Sequence, residues 1–127
     1  MAVVFVYGTL RQGSGNNRLL ESSRFLGQSL TKEKYAMYSL GGCPAVDLTK
    51  NCTQIVIEAY QCDEATMTRL DRLEGYRGPS SDNFYDRSIV ESVDFGSGLM
   101  YHIDNRYNDD REITSGDWYE HRAQRYI

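Results

Sequence analysis

Val3-Val4-Phe5-Val6-Tyr7-Gly8-Thr9-Leu10 is the stretch around which this chain is organised. Four consecutive apolar residues, three of them β-branched, suit a strand buried on both faces rather than one that alternates between core and water. The glycine that follows opens a turn, and such a turn leaves backbone N–H groups free to hold an anion. A second stretch, Leu70-Asp71-Arg72-Leu73-Glu74-Gly75-Tyr76, is able to place one carboxylate on a buried face. An anion clamp and a protected carboxylate are the minimum equipment of an acid/base enzyme.

Outward from the first strand, 11–17 reads as a Gly- and Asn-rich loop whose Asn16 or Asn17 caps a short helix over 18–25, with Leu19, Leu20 and Phe25 inward. The loop lacks the GxxxxGK[ST] pattern, and GSG alone is no dinucleotide fingerprint. A strand is expected over 35–40, a turn at 41–44 and a short edge piece at 44–46. Ile55-Val56-Ile57-Glu58-Ala59-Tyr60-Gln61 carries apolar residues on both faces and reads as a central strand. Asp63 suits the N-cap of a helix over 64–74, which Gly75 ends in a left-handed conformation. A polar segment, 78–83, forms a candidate mobile loop beside the site. Strand character resumes over 85–95, Gly96-Ser97-Gly98 reads as a hairpin turn, and a further strand covers 99–103. Asp117-Trp118-Tyr119 is expected to pack the C-terminal segment onto the domain. Five or six strands with two helices give an α+β fold, and the run of late hairpins leans towards a closed or nearly closed sheet.

The chain has 127 residues, which predicts one domain over 1–127. Eighteen acidic residues against 14 basic ones leave a net charge of −4, with no basic block to follow a phosphate backbone, so nucleic acid is not an expected partner. The N-terminal apolar run is too short for a secretory signal, and nothing approaches a bilayer span, so a membrane is not expected either. A soluble, cytoplasmic protein follows. Cys43, Cys52 and Cys62 are odd in number and widely spaced, which reads as reduced packing residues rather than a disulfide framework or a zinc site. His102 and His121 show no metal-ligand spacing and no legible link to a Ser or Cys, so neither a metal nor a triad hydrolase is expected. Ten tyrosines suit a pocket that is apolar in body and polar at its rim.

At about 100° per residue, Met67, Leu70, Leu73 and Glu74 share one arc of the second helix. Glu74 therefore falls on the apolar side, at the negative end of the helix dipole. Both circumstances disfavour its anion and raise its pKa towards the range of a general base. Glu58, beside Val56 and Tyr60, is the rival carboxylate and has an arginine such as Arg87 as a possible partner. Asp71 and Asp94 read as solvated.

These stretches resemble the gamma-glutamylcyclotransferase-like family, and among its branches the gamma-glutamylamine cyclotransferases. Tyr7-Gly8-Thr9-Leu10, with Arg11 and Asn16 following, resembles the family's YG[ST]L signature. Leu70-Asp71-Arg72-Leu73-Glu74-Gly75 resembles its LDxxEG segment, Tyr85-Asp86-Arg87 its YxR, and Gly116-Asp117-Trp118 its GDW, all in the family's order. The resemblance implies a small mixed β-barrel flanked by short helices, no cofactor, and a small γ-glutamyl substrate. It implies a cyclotransferase of amine-lyase type, in which the α-amine of a γ-glutamyl group attacks its own γ-carbonyl to give 5-oxoproline and a free amine. Glu74 matches the family's general acid/base, and the Gly8, Thr9 and Leu10 amides match those that hold the α-carboxylate. Tyr7 belongs to the same signature, and Tyr85 matches a hydrogen-bond donor near the cavity. Arg87, Asn16 and Trp118 match supporting positions. The long polar stretch after Glu74 sets this chain apart from compact members, and no elaborated region of the glutathione-specific branch follows the signature. Two further readings keep the fold without the turnover: a binder or sensor of a small anionic metabolite, and an interaction domain that uses loop 77–83.

Overall fold

The computed structural model describes residues 1–124, and Arg125, Tyr126 and Ile127 lie outside the described residues. The first strand, β1 (Ala2–Val6), occupies the middle of a five-stranded sheet with Val4 and Phe5 completely buried. On one side β1 pairs antiparallel with β5 (Val56–Cys62), Val6 opposite Glu58; on the other it runs parallel to β7 (Gly96–His102). The outer strands are β2 (Arg24–Leu30), antiparallel to β5, and β6 (Asp86–Ser92), antiparallel to β7. A separate hairpin of β3 (Ala36–Ser39) and β4 (Pro44–Asp47) covers part of the core. Helix α1 (Glu64–Glu74) follows β5, and α2 (Trp118–Gln124) brings Trp118, 1% exposed, into the core.

The α+β class is the expected one, with a correction to the barrel: the sheet is not closed. Its two edge strands touch only at one end, where Lys32 N–H donates to the Glu91 carbonyl and Val93 N–H to the Leu30 carbonyl. The sheet thus curls into a trough, and one side of it remains open.

Local structure departs from the sequence reading in three places. The helix expected over 18–25 is a single 3₁₀ turn, Asn17–Leu20, and Phe25, 41% exposed, belongs to β2 instead. The β2 strand is irregular: its register shifts between Phe25 and Gly27, which blurs the two-residue period by which a strand is recognised. The hairpin between β6 and β7 turns at Val93-Asp94-Phe95, and Gly96-Ser97-Gly98 is already strand. Ser92 explains this, because its hydroxyl accepts from Phe95 N–H and donates to the Gly96 carbonyl, closing the turn earlier than the glycines suggest. Finally, Leu73 is 43% exposed, although Met67 and Leu70 are buried as expected.

Candidate functional site

Helix α1 begins where Asp63 accepts a hydrogen bond from Thr66 N–H at 2.8 Å, and it ends at Gly75 with φ 70°. Gly75 N–H donates to the Arg72 carbonyl and Tyr76 N–H to the Asp71 carbonyl, the paired bonds of a Schellman motif. The chain then leaves for the 76–83 loop and returns beside its own exit, since Phe84 N–H donates to the Gly75 carbonyl and Tyr85 N–H to that of Glu74. Glu74 and Tyr85 are thereby side by side. The loop is knit by Asn83, which accepts from Arg77 N–H at 2.7 Å and donates to the Gly78 carbonyl at 2.9 Å.

These elements enclose a cavity of about 380 Å³. Its wall holds Tyr7, Gly8, Thr9 and Leu10 from the turn after β1, Glu74 from α1, Tyr85 before β6 and Tyr101 from β7. All six expected site residues therefore meet in one place. Among the described residues no acceptor is seen for the N–H groups of Gly8, Thr9 or Leu10. The loop is instead fixed through its carbonyls: Gly8 O accepts from Arg11 N–H and Thr9 O from Asn16 N–H, while the Asn16 side chain donates to Thr9 Oγ1 at 3.0 Å. Three backbone donors of the cavity lining are thus without a partner among the described residues.

Gly8 is required by space. A Cβ built on it would sit 2.7 Å from Cδ and 2.8 Å from Cγ of Pro44, on the opposite wall. Gly8→Ala is expected to destabilise the fold by about 1–3 kcal/mol through this overlap, and Pro44→Ala in the same chain to recover part of the loss, as read by urea unfolding.

Burial pushes the Glu74 carboxyl up to about 7. The same negative charge is felt by three phenols. Burial first, then Glu74, holds Tyr7 well above the usual range for a phenol. Tyr85 is raised by burial and then by Tyr7, Cys43 and Glu74, and Tyr101 by burial and then by its hydrogen bond to Asp71, with Glu74 a lesser contributor. All three phenols are neutral at physiological pH and lie within electrostatic reach of one titrating carboxylate.

The neighbouring charges are arranged otherwise than the sequence suggests. Glu58 does pair with an arginine, but with Arg11 rather than Arg87: Arg11 Nε donates to Glu58 Oε2 at 2.7 Å, and both residues are under 5% exposed. Arg87 pairs with Asp71, donating from Nη1 to Oδ1 at 2.9 Å and to Oδ2 at 2.7 Å. Asp71 is therefore engaged rather than solvated, and Asp94, though exposed, accepts from Ser29 Oγ at 2.8 Å. His102 is also linked, contrary to expectation: its Nε2 is 2.7 Å from Ser88 Oγ and its Nδ1 3.0 Å from Asp104 Oδ1. That connectivity matches a hydrolytic triad, yet Ser88 sits in mid-strand rather than on a turn that bares a nucleophile, and it lies outside the cavity. The three side chains act as a brace at the end of β6 and β7.

Sequence reasoning missed Tyr101, Phe84 and the Gly42-Cys43-Pro44 turn as parts of the wall. Tyr101 has a strand-like signature like any core tyrosine, and the turn is far from the signature loop in sequence. The cysteines are free as expected, but only Cys62 is a buried packing residue; Cys43 borders the cavity and Cys52 is exposed. Among the described residues no group of three or more His, Cys, Asp or Glu is placed to hold a metal ion, and no helix is long and apolar enough to cross a membrane.

A curled mixed sheet whose central strand ends at free amides, in the same cavity as a carboxyl pushed up to about 7, has the makings of an acid/base enzyme for a small ligand. Residues 4–120 match the family model described as gamma-glutamyl cyclotransferase, AIG2-like. A Vibrio cholerae protein named for gamma-glutamylcyclotransferase is 39% identical over 116 residues, covering 91% of this chain and 94% of that one. The gamma-L-glutamyl-butirosin B gamma-glutamyl cyclotransferase of Niallia circulans is 31% identical over 128 residues, covering 98% of this chain and 80% of that enzyme. The crystal structure of an uncharacterized Pyrococcus horikoshii protein superposes with a TM-score of 0.79 at 26% identity, covering 99% of this chain and 97% of that one. The chain belongs to the gamma-glutamyl cyclotransferase, AIG2-like family, and is a gamma-glutamylcyclotransferase-like enzyme whose family acts on small γ-glutamyl substrates.

Proposed function

We propose that this chain, as one domain over 1–127, converts a small γ-glutamyl amine or a closely related γ-glutamyl amide to 5-oxoproline and the free amine. The observation that carries the reading is the shared cavity: a carboxyl pushed up to about 7 and three residues whose backbone N–H groups have no partner among the described residues line the same space. The Gly8, Thr9 and Leu10 amides hold the substrate α-carboxylate. Glu74 takes a proton from the α-ammonium, and the freed nitrogen forms a C–N bond to the γ-carbonyl carbon of the same molecule. As the tetrahedral centre collapses, the C–N bond to the departing amine breaks, that nitrogen receives the proton from Glu74, and the second surplus proton of the attacking nitrogen passes to it as well, so that 5-oxoproline keeps a single N–H and the amine departs as its ammonium ion. Atoms and charge balance with no cofactor, and much of the rate comes from holding one end of the substrate so that nucleophile and carbonyl meet. Tyr7 and Tyr85 flank the reacting end. The three free cysteines fit work in the cytoplasm, where thiols stay reduced.

A screen of γ-glutamyl amines and amides, with 5-oxoproline read by mass spectrometry, tests the reaction; no 5-oxoproline from any of them removes it. Because the base must be ionised, kcat/KM is expected to rise with pH through an apparent pKa near 7 and to fall about tenfold for each pH unit below it. A profile flat between pH 5 and 8 would count against Glu74 as the base.

A further inference from the structure

The cavity lining has two characters. Tyr7, Tyr85 and Tyr101 are buried, and each has given its one phenolic proton to the protein. Tyr7 Oη donates to the Tyr101 carbonyl at 2.8 Å, Tyr85 Oη to the Pro44 carbonyl at 2.7 Å, and Tyr101 Oη to Asp71 Oδ1 at 2.6 Å. The Tyr85 proton is thus spent on the wall, against the donor role that family resemblance suggests. Leu73 and Phe84 line the same cavity but are 43% and 52% exposed. Each stands one residue before a group of the inner wall, Leu73 before Glu74 and Phe84 before Tyr85. A single exposed hydrophobe needs no explanation. Two of them bordering the cavity that holds the titrating carboxyl form an apolar rim.

Phe84 is fixed in place. Its N–H donates to the Gly75 carbonyl, and a Cβ built on Gly75 would come within 3.1 Å of its own Cβ, so it lies against the end of α1. Its ring meets that of Tyr85 edge-on, with centroids 5.2 Å apart, and the Arg106 guanidinium stands 5.8 Å from its centroid. The ring therefore offers a rigid apolar surface whose attraction for a cation is already taken up by Arg106. A second cation brought there meets a like charge. Among the described residues Glu74 is the only charged side chain of the lining, and the proposed reaction commits it to the α-ammonium.

We propose that Leu73 and Phe84 form the subsite for the departing amine, and that this amine is apolar beyond its nitrogen and carries no second positive charge. The inference rests on the cyclotransferase reading of the cavity and deepens it by naming the class of amine. With the γ-glutamyl head on the turn after β1 and the reacting carbon beside Glu74, the amine's substituent is the part of the substrate left at the exposed rim. An alkyl or aryl substituent there covers the two side chains and leaves water together with them. A lysine-like or polyamine substituent brings its charge to Arg106 and loses its own hydration for no partner.

Steady-state kinetics on the whole protein at pH 8, with 5-oxoproline as the readout, tests this with three amides of one head: γ-glutamyl methylamide, n-pentylamide and 4-aminobutylamide. The last two are nearly isosteric and differ in a terminal charge. Wild-type kcat/KM for the n-pentylamide is expected to exceed that for the methylamide by about 10- to 30-fold, the return on methylenes that are only partly withdrawn from water. It is expected to exceed that for the 4-aminobutylamide by about tenfold or more. Leu73→Ala and Phe84→Ala are each expected to lower the pentyl-to-methyl ratio by about three- to tenfold. The ratio is internal to one protein, so a general loss of activity does not imitate this. Arg106→Gln is expected to narrow the gap between the n-pentyl and 4-aminobutyl substrates. Equal kcat/KM for methyl and pentyl in wild type overturns the apolar subsite, and a 4-aminobutylamide turned over as well as the n-pentylamide overturns the exclusion of a second charge. A ratio unmoved in both alanine variants overturns the assignment to Leu73 and Phe84. All three of those results leave the cyclotransferase reading standing, whereas no 5-oxoproline from any amide overturns that reading and the subsite with it.

Discussion

Glu74→Gln is expected to abolish detectable 5-oxoproline formation while leaving the chain folded. The amide keeps the size and polarity of the side chain and removes the one group in the cavity that titrates near neutrality. General base catalysis contributes about 10² to 10⁴ in rate. The loss here falls at the upper end, because the neighbouring phenols are held far above the range in which they could take over as bases. A Glu74→Gln protein with undiminished turnover would remove the mechanism. Stability provides an independent check. A carboxyl raised to about 7 in the fold binds its proton more tightly there than in the unfolded chain, where glutamate titrates at about 4.3. The stability that follows from this is present below the unfolded value and is lost as pH rises through the folded one. At pH 8 the wild-type fold bears the full cost of an ionised Glu74, and at pH 4 almost none of it. Thermal unfolding of Glu74→Gln should therefore match wild type in acid and exceed it at pH 8. A variant less stable than wild type at both values would show Glu74 to be a structural residue.

The second large effect lies behind the signature turn. Arg11 and Glu58 form a buried pair at 2.7 Å, and the guanidinium is surrounded on all sides: Nη1 reaches Asp117 Oδ1 at 3.0 Å, Nη2 reaches Gln28 Oε1 at 3.4 Å, and the Tyr119 ring centroid is 4.0 Å away. Glu58 spends its other oxygen on Gln12 N–H at 2.8 Å. This cluster connects the inner strand β5, the loop that follows the free amides, and the start of α2. Removing one partner of such a pair leaves an uncompensated charge away from water, so Glu58→Ala is expected to cost about 3–5 kcal/mol. Measured by urea unfolding, a loss below about 1 kcal/mol would mean that Asp117 and solvent suffice for Arg11. The variant that remains folded should also lose turnover at fixed pH, because residues 9–12 lose the anchor that holds three unpaired N–H groups in one direction.

The supporting residues show the same division of labour. Asn16 bonds the loop through both main chain and side chain, and Asn17 Nδ2 adds a bond to the Leu10 carbonyl at 2.8 Å. The hydrogen-bonding capacity of the turn is thus spent on its carbonyls, and its N–H groups are left for a ligand. A loop whose donors were satisfied internally would be more stable alone and useless as a clamp.

Local signals were enough wherever one residue type decides a conformation. The apolar run Val3-Val4-Phe5-Val6 names a buried strand, Asp63 and Gly75 bracket a helix whose bounds match the sequence reading, and the helical period assigns Glu74 to the apolar side. These are consequences of backbone geometry and solvation within a few residues, and a sequence carries them openly. Whatever depended on partners distant in the chain was decided by the fold. β2 pairs across an irregular register that no two-residue period announces, and the sheet stops short of closure because its edges meet at one end only. Arg11 is brought to Glu58 across 47 residues, and Tyr101 to Asp71 across 30. Charge pairing and the commitment of a phenol's proton depend on which groups arrive within 3 Å, and that is a property of packing. The sequence by itself therefore determined a signature turn and one carboxylate; only the tertiary structure decided that they share a cavity with three tyrosines whose protons are already given away.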